Sequence, residues 1–327
     1  MLHVHIHSDP LDGNPRATLQ HWHDAVARAG DIAAGVTVSL SGSEDDLIKA
    51  IGEAEALITT GRVIKSLFPA DVPHLQLIFL THAGVDTLKN FNQIPSHVRI
   101  LNNRGVHAEK ASEYAVMAVL MLANFIPMFV RQQNQEVWNR QLANSLSGRR
   151  ATILGLGAIG TGVAEKLKSF RMHVTGVRNH NRPHSFCDDV VPISAVDSVL
   201  PRTEFLILAC PLTEATINVL DARRLALLPE GSGAINIGRG ELVQQEALLD
   251  ALDSGKLSGA VLDVFTPEPV PPGHRLWHTR NLIMTPHMSA GDPSIYIPRS
   301  LDIFFRNLRC LRDGEELPNQ VDLSRGY

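Results

Sequence analysis

Three stretches of this sequence join an apolar run to a side chain able to handle protons or anions. In Ile235-Asn236-Ile237-Gly238-Arg239-Gly240 an arginine stands between two glycines. Its guanidinium can pair with a carboxylate through two parallel hydrogen bonds, which lysine cannot reproduce. In Asp263-Val264-Phe265-Thr266-Pro267-Glu268-Pro269 a glutamate is held between prolines, which stiffen its backbone. In Met284-Thr285-Pro286-His287 a histidine follows a proline. Histidine titrates nearest neutrality and so suits proton transfer there. A carboxylate beside it would stabilise the imidazolium. Singly, these residues read equally well as a surface arginine, a surface glutamate and a satisfied histidine. At successive strand ends of one sheet, Arg239, Glu268 and His287 can converge on one point, and they form the candidate catalytic set.

A fourth stretch offers a phosphate cradle. The apolar run ending at Leu154 meets Gly155-Leu156-Gly157-Ala158-Ile159-Gly160, and a helix pattern follows at once. Gly155 permits a tight turn, Gly157 lets backbone approach a pyrophosphate, and Gly160 brings the helix close to its strand. The N–H groups of the new helix, at Ala158 and Ile159, add the positive end of its dipole. A ribose 2′-OH is usually read by an acidic residue at the end of the second strand. Here that position holds Arg178, followed by Asn179, His180 and Arg182. An arginine there suits a 2′-phosphate, so NADP(H) is the favoured cofactor and NAD(H) the alternative, with Arg178 then merely stacking on adenine. Asp188 and Asp189 come too late in the chain to replace it and are read as loop residues. Further strand ends of the same sheet add Cys210, Pro211, Ile237, Gly238 and Asp263 to the expected cofactor-binding set.

These residues need a scaffold of alternating strands and helices. Apolar runs predict strands at 4–7, 57–60 and 77–80, with a helix at 18–29. A long helix at 107–125 leads out of this half, and polar residues 131–148 lead to the glycine-rich strand. Strands then follow at 172–177, 205–209, 234–237, 260–264 and 282–284, and a last helix at 297–312. Such alternation implies parallel sheets covered by helices. The fold class is therefore α/β, with two Rossmann-like or flavodoxin-like domains. Residues 1–102 form a first unit and residues 103–288 the dinucleotide domain, and the tail of residues 289–327 is free to return and pack on the first unit.

Composition narrows the class further. At 327 residues the length suits about two domains. A net charge of −4 lacks the basic face that nucleic acid requires. Three widely spaced cysteines, Cys187, Cys210 and Cys310, show no metal or redox spacing and read as buried free thiols in a reducing cytoplasm. The alternating His3, His5 and His7 raise the question of metal, but alternation is also what a half-buried first strand with one polar face shows. The N-terminus lacks the features of a signal peptide. The mostly apolar residues 114–130 fall short of the roughly 20 that a membrane span needs, and are read as a buried or subunit-interface helix. Trp138 and Trp277 are read as packing anchors.

The motifs together resemble the D-isomer-specific 2-hydroxyacid dehydrogenases. The likeness runs from about residue 80 to 290, through His82-Ala83-Gly84-Val85-Asp86, Asn103-Arg104-Gly105-Val106-His107, Ser112-Glu113 and the glycine run. It continues through Pro211-Leu212-Thr213, Asn236 to Gly240, Leu262 to Phe265 with Glu268-Pro269, and Thr285-Pro286-His287. The resemblance implies that Arg239, Glu268 and His287 are the catalytic residues. It also implies that backbone N–H groups of Ala83, Gly84 and Val85, with Arg239 and His287, bind the substrate. It further implies that residues 1–102 and 289–327 form a discontinuous substrate domain into which the dinucleotide domain is inserted, with an active site in the cleft between domains, and a homodimer.

Within the family, the sequence is most similar to the glyoxylate/hydroxypyruvate reductase branch. The expected reaction is reduction of a small 2-keto acid to the D-2-hydroxy acid. The loop at 8–14, with Thr81 and His82, is expected to border the substrate side chain, and Met288 and Ser289 to shape the pocket. Three alternatives carry over: a larger keto acid such as phenylpyruvate, a nucleotide-sensing corepressor-like protein, and a dehydrogenase or hydrolase of related fold acting on another substrate.

Overall fold

Two parallel sheets account for the alternation of apolar runs and helices, one of five strands and one of seven. The computed structural model describes residues 2–9, 11, 13, 15–85, 88 and 92–321. The chain divides into two units, Met1–His107 with Asp292–Tyr327, and Ala108–Gly291. Residues 103–107, expected in the second unit, are tied into the first. Asn103 donates to Thr81 O and Ser300 Oγ at 2.7 Å each, and His107 stacks on Tyr296. Pro10, Asp12 and Asn14 of the expected substrate loop, and Asp86 of the quoted motif, lie outside the described residues.

In the first unit the elements are β1 (Leu2–His7), α1 (Leu19–Ala29), β2 (Val36–Ser41), α2 (Glu44–Ile51), β3 (Ala56–Thr59), α3 (Gly61–Leu67), β4 (Leu77–Leu80) and β5 (Arg99–Leu101). The strand order is β2-β1-β3-β4-β5, all parallel. A C-terminal helix, Tyr296–Asp313, joins this unit. Helix α1 starts at Thr18 because its hydroxyl accepts from His21 N while His21 Nδ1 accepts from Thr18 N, a reciprocal cap. Val4 and Ile6 of β1 face a core of Trp22, Phe79, Phe304 and Phe305. Burying each such side chain contributes ~2 kcal/mol.

The opposite face of β1 is polar yet buried. His3 Nε2 and His5 Nδ1 share Ser39 Oγ, and His5 Nε2 and His7 Nδ1 share Ser41 Oγ, all at 2.8 Å. His3 Nδ1 meets the Glu53 carbonyl at 3.2 Å. The expected strand is present, but its polar face is not solvated: His5 is 1% exposed. Burial, then His7 and His3, push the His5 pKa down to about 4. Among the described residues no group of histidines, cysteines and carboxylates is arranged to hold a metal.

The second unit contains α4 (Ala108–Ala123), α5 (Ile126–Asn134), β6 (Arg150–Leu154), α6 (Ala158–Ser169), β7 (His173–Arg178), β8 (Asp189–Pro192), β9 (Phe205–Leu208), α7 (Ala222–Leu227), β10 (Ser232–Asn236), α8 (Gln245–Asp253), β11 (Leu257–Leu262) and β12 (Leu282–Met284). The sheet runs β12-β11-β10-β9-β6-β7-β8. Its order reverses at β6, so the crevice at the carboxyl ends of β6 and β9 is the place where such sheets bind ligands. Helix α4 is largely buried and packs on α6, β10 and β11.

Several expectations change here. Asp189 is no loop residue: it opens β8, paired with Thr175. Asp188 lies just before that strand, and its carboxylate accepts from Val174 N and Lys168 Nζ. Residues 131–134 belong to α5 rather than to a polar connection. Trp138 is 98% exposed and so anchors no packing within the chain, whereas Trp277 is half covered and donates its indole N–H to Pro271 O at 2.9 Å. The three cysteines are free but half-buried rather than buried. Among the described residues no single helix is long and apolar enough to cross a membrane; α4 and α5 reach that length only together, and they meet at a 63° bend.

Candidate active site

The glycine turn divides into two roles. Gly155 sits at φ +100°, and a Cβ there would lie 2.7 Å from Ala209 O. A Cβ on Gly160 would lie 1.8 Å from Gly155 O. These two glycines let β6, α6 and β9 meet. Gly157 is different: a Cβ there would touch nothing within 4 Å. It is the N-cap of α6, and the N–H groups of Ala158 and Ile159 in the first turn donate to nothing among the described residues. That is the environment a pyrophosphate requires, and the residues present fit a dinucleotide.

The expected flanking residues line the same strand ends. Cys210 and Pro211 follow β9, and burial pushes the Cys210 thiol up to about 12, so it stays neutral. Ile237 and Gly238 follow β10 and are buried. Arg178 closes β7, half-buried, with exposed Asn179 and Arg182 beyond it.

The three candidate catalytic residues stand at adjacent strand ends, after β10, β11 and β12. Arg239 is positioned through its backbone: Asn236 Nδ2 donates to Arg239 O at 2.7 Å, and Asn236 Oδ1 accepts from Gly238 N at 3.0 Å. Glu268 Oε1 accepts from Phe265 N at 2.8 Å, which turns its other oxygen to His287 Nδ1 at 2.9 Å. Gln245 pins the same loop through Thr266 N and O. His287 takes a left-handed backbone, φ +51°, held by its own N–H to Asp263 O at 2.9 Å. Both Glu268 and His287 are exposed, whereas Arg239 is half-buried.

Asp263 does something sequence reasoning did not assign. It is 1% exposed, and its carboxylate accepts from Thr285 Oγ1, Met288 N and Ser289 N at 2.6, 2.9 and 2.9 Å. Tyr114 of α4 extends this network through Thr285 Oγ1 at 2.6 Å. Burial raises the Tyr114 pKa, helped by the Asp263 charge, so it remains a neutral phenol. Met288 and Ser289, expected to shape the pocket, are thus held by Asp263 through their backbones. Tyr114, Asn236, Gln245 and Thr285 are positioning residues whose partners lie far off in sequence or on loops.

In the first unit the carbonyls of the loop after β4 are engaged within the unit. Every carbonyl from Thr81 to Gly84 is occupied: Thr81 O by Asn103 and Tyr296, His82 O by Asn103 N, Ala83 O by Asn102 and Gly84 O by His82 Nδ1. His82 Nε2 accepts from Gly61 N at 2.7 Å, so the ring bridges this loop to α3. The N–H groups of Ala83, Gly84 and Val85 donate to nothing among the described residues.

A dinucleotide cradle with arginine, glutamate and histidine on neighbouring strand ends defines a nicotinamide-dependent oxidoreductase. Comparison with known proteins agrees. The NAD-binding domain of D-isomer specific 2-hydroxyacid dehydrogenases matches residues 116–289. Glyoxylate/hydroxypyruvate reductase A of Salmonella typhimurium is 30% identical over 262 residues, covering 77% of this chain and 82% of that protein. A D-isomer specific 2-hydroxyacid dehydrogenase family protein from Aeromonas salmonicida is 30% identical with a TM-score of 0.81, covering 99% of this chain and 100% of that one. A third relative, a D-isomer specific 2-hydroxyacid dehydrogenase from Xanthobacter autotrophicus solved with NADPH and MES, is 28% identical with a TM-score of 0.81, covering 99% of each chain. This chain belongs to the D-isomer-specific 2-hydroxyacid dehydrogenase family.

Proposed function

We propose that the protein reduces a small 2-keto acid of the glyoxylate or hydroxypyruvate type to the D-2-hydroxy acid, with NADPH as reductant. The observation that carries this reading is the His287–Glu268 pair at 2.9 Å, one strand end from the Arg239 loop. The glycine cradle and Arg178 support the choice of cofactor, as does the NADPH bound in the Xanthobacter relative.

Arg239 receives the substrate carboxylate and polarises the keto oxygen, opposing the charge that grows there. In the first unit the open N–H groups of Ala83, Gly84 and Val85 remain available to an anion. Glu268 occupies His287 Nδ1, leaving Nε2–H as the donor. His287 gives that proton to the oxygen as it becomes an alkoxide. The nicotinamide, when bound, supplies the hydride that reaches C2. One keto group, one hydride and one proton balance to one hydroxyl group, and solvent reprotonates the exposed His287.

The partner we assign is a second copy of the chain. Met117, Ile126, Val130, Val137, Trp138 and Leu142 are exposed apolar side chains on α4, α5 and the segment after them, a concentration that usually marks an interface. The three unpaired cysteines suit a reducing cytoplasm.

Oxidation of NADPH and NADH with a panel of 2-keto acids tests the reaction. The expected result is fastest turnover of glyoxylate and hydroxypyruvate with NADPH. A preference for NADH, or for phenylpyruvate, overturns the corresponding part. Light scattering on a sizing column is expected to give twice the 35.8 kDa chain mass.

A further inference from the structure

Beyond Arg178 the chain places a titratable ring where the reading above needs only fixed charge. Arg178 Nε and Nη2 lie 3.2 and 3.0 Å from Nδ1 and Nε2 of His180. A neutral imidazole has one N–H and one lone pair. Only one of these two contacts can therefore be a true hydrogen bond. A doubly protonated ring could accept neither, so the contact holds His180 neutral. Burial, then the charges of Arg178 and Arg182, lower its pKa in the same sense.

No carboxylate stands among residues 178–183. Asn179, Asn181 and Pro183 beside the two arginines carry no charge. The nearest acids along the chain are committed elsewhere. Asp188 is bound by Lys168, at 2.7 and 2.8 Å, and by Val174 N. Asp189 is bound by His173 at 3.0 Å and Arg202 at 3.4 Å. The strand end therefore holds two guanidiniums and an imidazole with room for one more proton, and the missing component is a dianion.

We propose that His180 is a proton-linked determinant of dinucleotide choice: it takes up a proton when a phosphomonoester dianion, the 2′-phosphate of NADP(H), binds beside Arg178. The ring then changes from a lone-pair acceptor for Arg178 into a second donor to phosphate oxygens, and Arg178 is released to make its own charge-assisted bonds. The preference for NADPH over NADH accordingly strengthens as pH falls toward the range where histidine charges. This rests on the reading that the protein uses NADP(H).

Equilibrium binding tests it without turnover. Titration calorimetry is run with NADPH and with NADH, in buffers of different ionisation enthalpy. For the unmodified protein, NADPH affinity is expected to rise about three- to tenfold from about pH 8 to about pH 6.5, with net proton uptake, while NADH affinity stays flat. In His180→Gln, an exposed substitution that keeps a neutral amide, the expected change with pH is less than about twofold and the extra proton uptake disappears. If His180→Gln retains the same proton uptake and the same pH dependence, the inference fails while the NADP(H) reading stands. If NADPH binds no more tightly than NADH at any pH, the reading itself fails and takes the inference with it.

Discussion

The two sheets share one plan but treat their switch points in opposite ways. In the first unit the strand order reverses between β1 and β3, and polar side chains of the unit itself pair with one another there. Asp9, just past β1, accepts from Thr60 Oγ1 at 3.3 Å and from Arg62 Nε at 2.8 Å. Burial works against the Asp9 charge, but Arg62 and Leu11 N outweigh it and hold the carboxyl below its ordinary range. In the second unit the crevice between β6 and β9 is bounded by glycines, and the space beside Gly157 is left open. The same backbone topology thus becomes a closed polar cluster in one sheet and a receptor in the other. The difference lies in a few residues at the strand ends rather than in the fold.

The titratable groups follow the same division. In the first unit the histidines His3, His5 and His7 lie along β1, paired through shared serines, with His5 and His7 buried. In the second unit Glu268 and His287 stand beyond the strand ends, exposed and aimed outward. The first arrangement builds structure, and the second leaves protons exchangeable.

Removing the outward group should have the largest effect. His287→Gln is expected to lower kcat/KM by about 10²- to 10⁴-fold in steady-state assays while leaving melting temperature and dinucleotide binding nearly unchanged. Activity within about tenfold of the original would remove His287 as the proton donor. Next come the two glycines. Gly155→Ala should cost about 1–3 kcal/mol in urea unfolding, because its Cβ meets backbone. Gly157→Ala should leave stability within about 0.5 kcal/mol yet weaken dinucleotide affinity, measured by calorimetry. If both variants behave alike, the distinction between packing glycine and receptor glycine is lost.

The buried histidines give a smaller effect, and one that depends on pH. His5 has an ordinary pKa of 6.5 when unfolded and about 4 when folded. The unfolded chain therefore binds protons first, and stability falls as pH drops from 6.5 toward 4, by about 2 kcal/mol after allowing for screening. Trp22 is buried in this unit, so its fluorescence should report the loss, and His5→Gln should flatten the profile. An acid profile that His5→Gln leaves unchanged would show that the ladder is silent. The smallest effect is expected from Tyr114→Phe. Losing its bond to Thr285 should cost about 1 kcal/mol and lower kcat only severalfold, since Tyr114 positions a loop and touches no reacting atom.

Much of this was legible in the sequence, for reasons that can be given residue by residue. The strand at Leu77–Leu80 is a continuous apolar run, and the helix beginning at Leu19 carries a capping threonine, so both are written locally. The candidate catalytic set was visible because proline and glycine mark the loops that hold it. Strand β2, Val-Thr-Val-Ser-Leu-Ser, was not read, because its serines gain their meaning only from the histidines of β1. Asp189 looked like loop because its strand is short and pairs at an edge. Trp138 looked like core because large aromatic residues usually are; within one chain it has nothing to cover it. Asp263, Tyr114 and Thr285 form a network joining residues up to 171 positions apart, and no local pattern encodes such a connection.

The ladder on β1 has one more consequence, which concerns direction. The Glu53 carbonyl can only accept, so His3 must carry its hydrogen on Nδ1, leaving Nε2 to accept from the Ser39 hydroxyl. Ser39 then accepts from His5 Nδ1, His5 Nε2 accepts from Ser41, and Ser41 accepts from His7 Nδ1. One carbonyl thereby sets the tautomers of three rings. All five side chains point their hydrogens toward the amino end of the strand and their lone pairs toward its carboxyl end. The row acts as a single polar rod whose direction the Glu53 carbonyl fixes, and Ser39 or Ser41 is the link at which it can be cut.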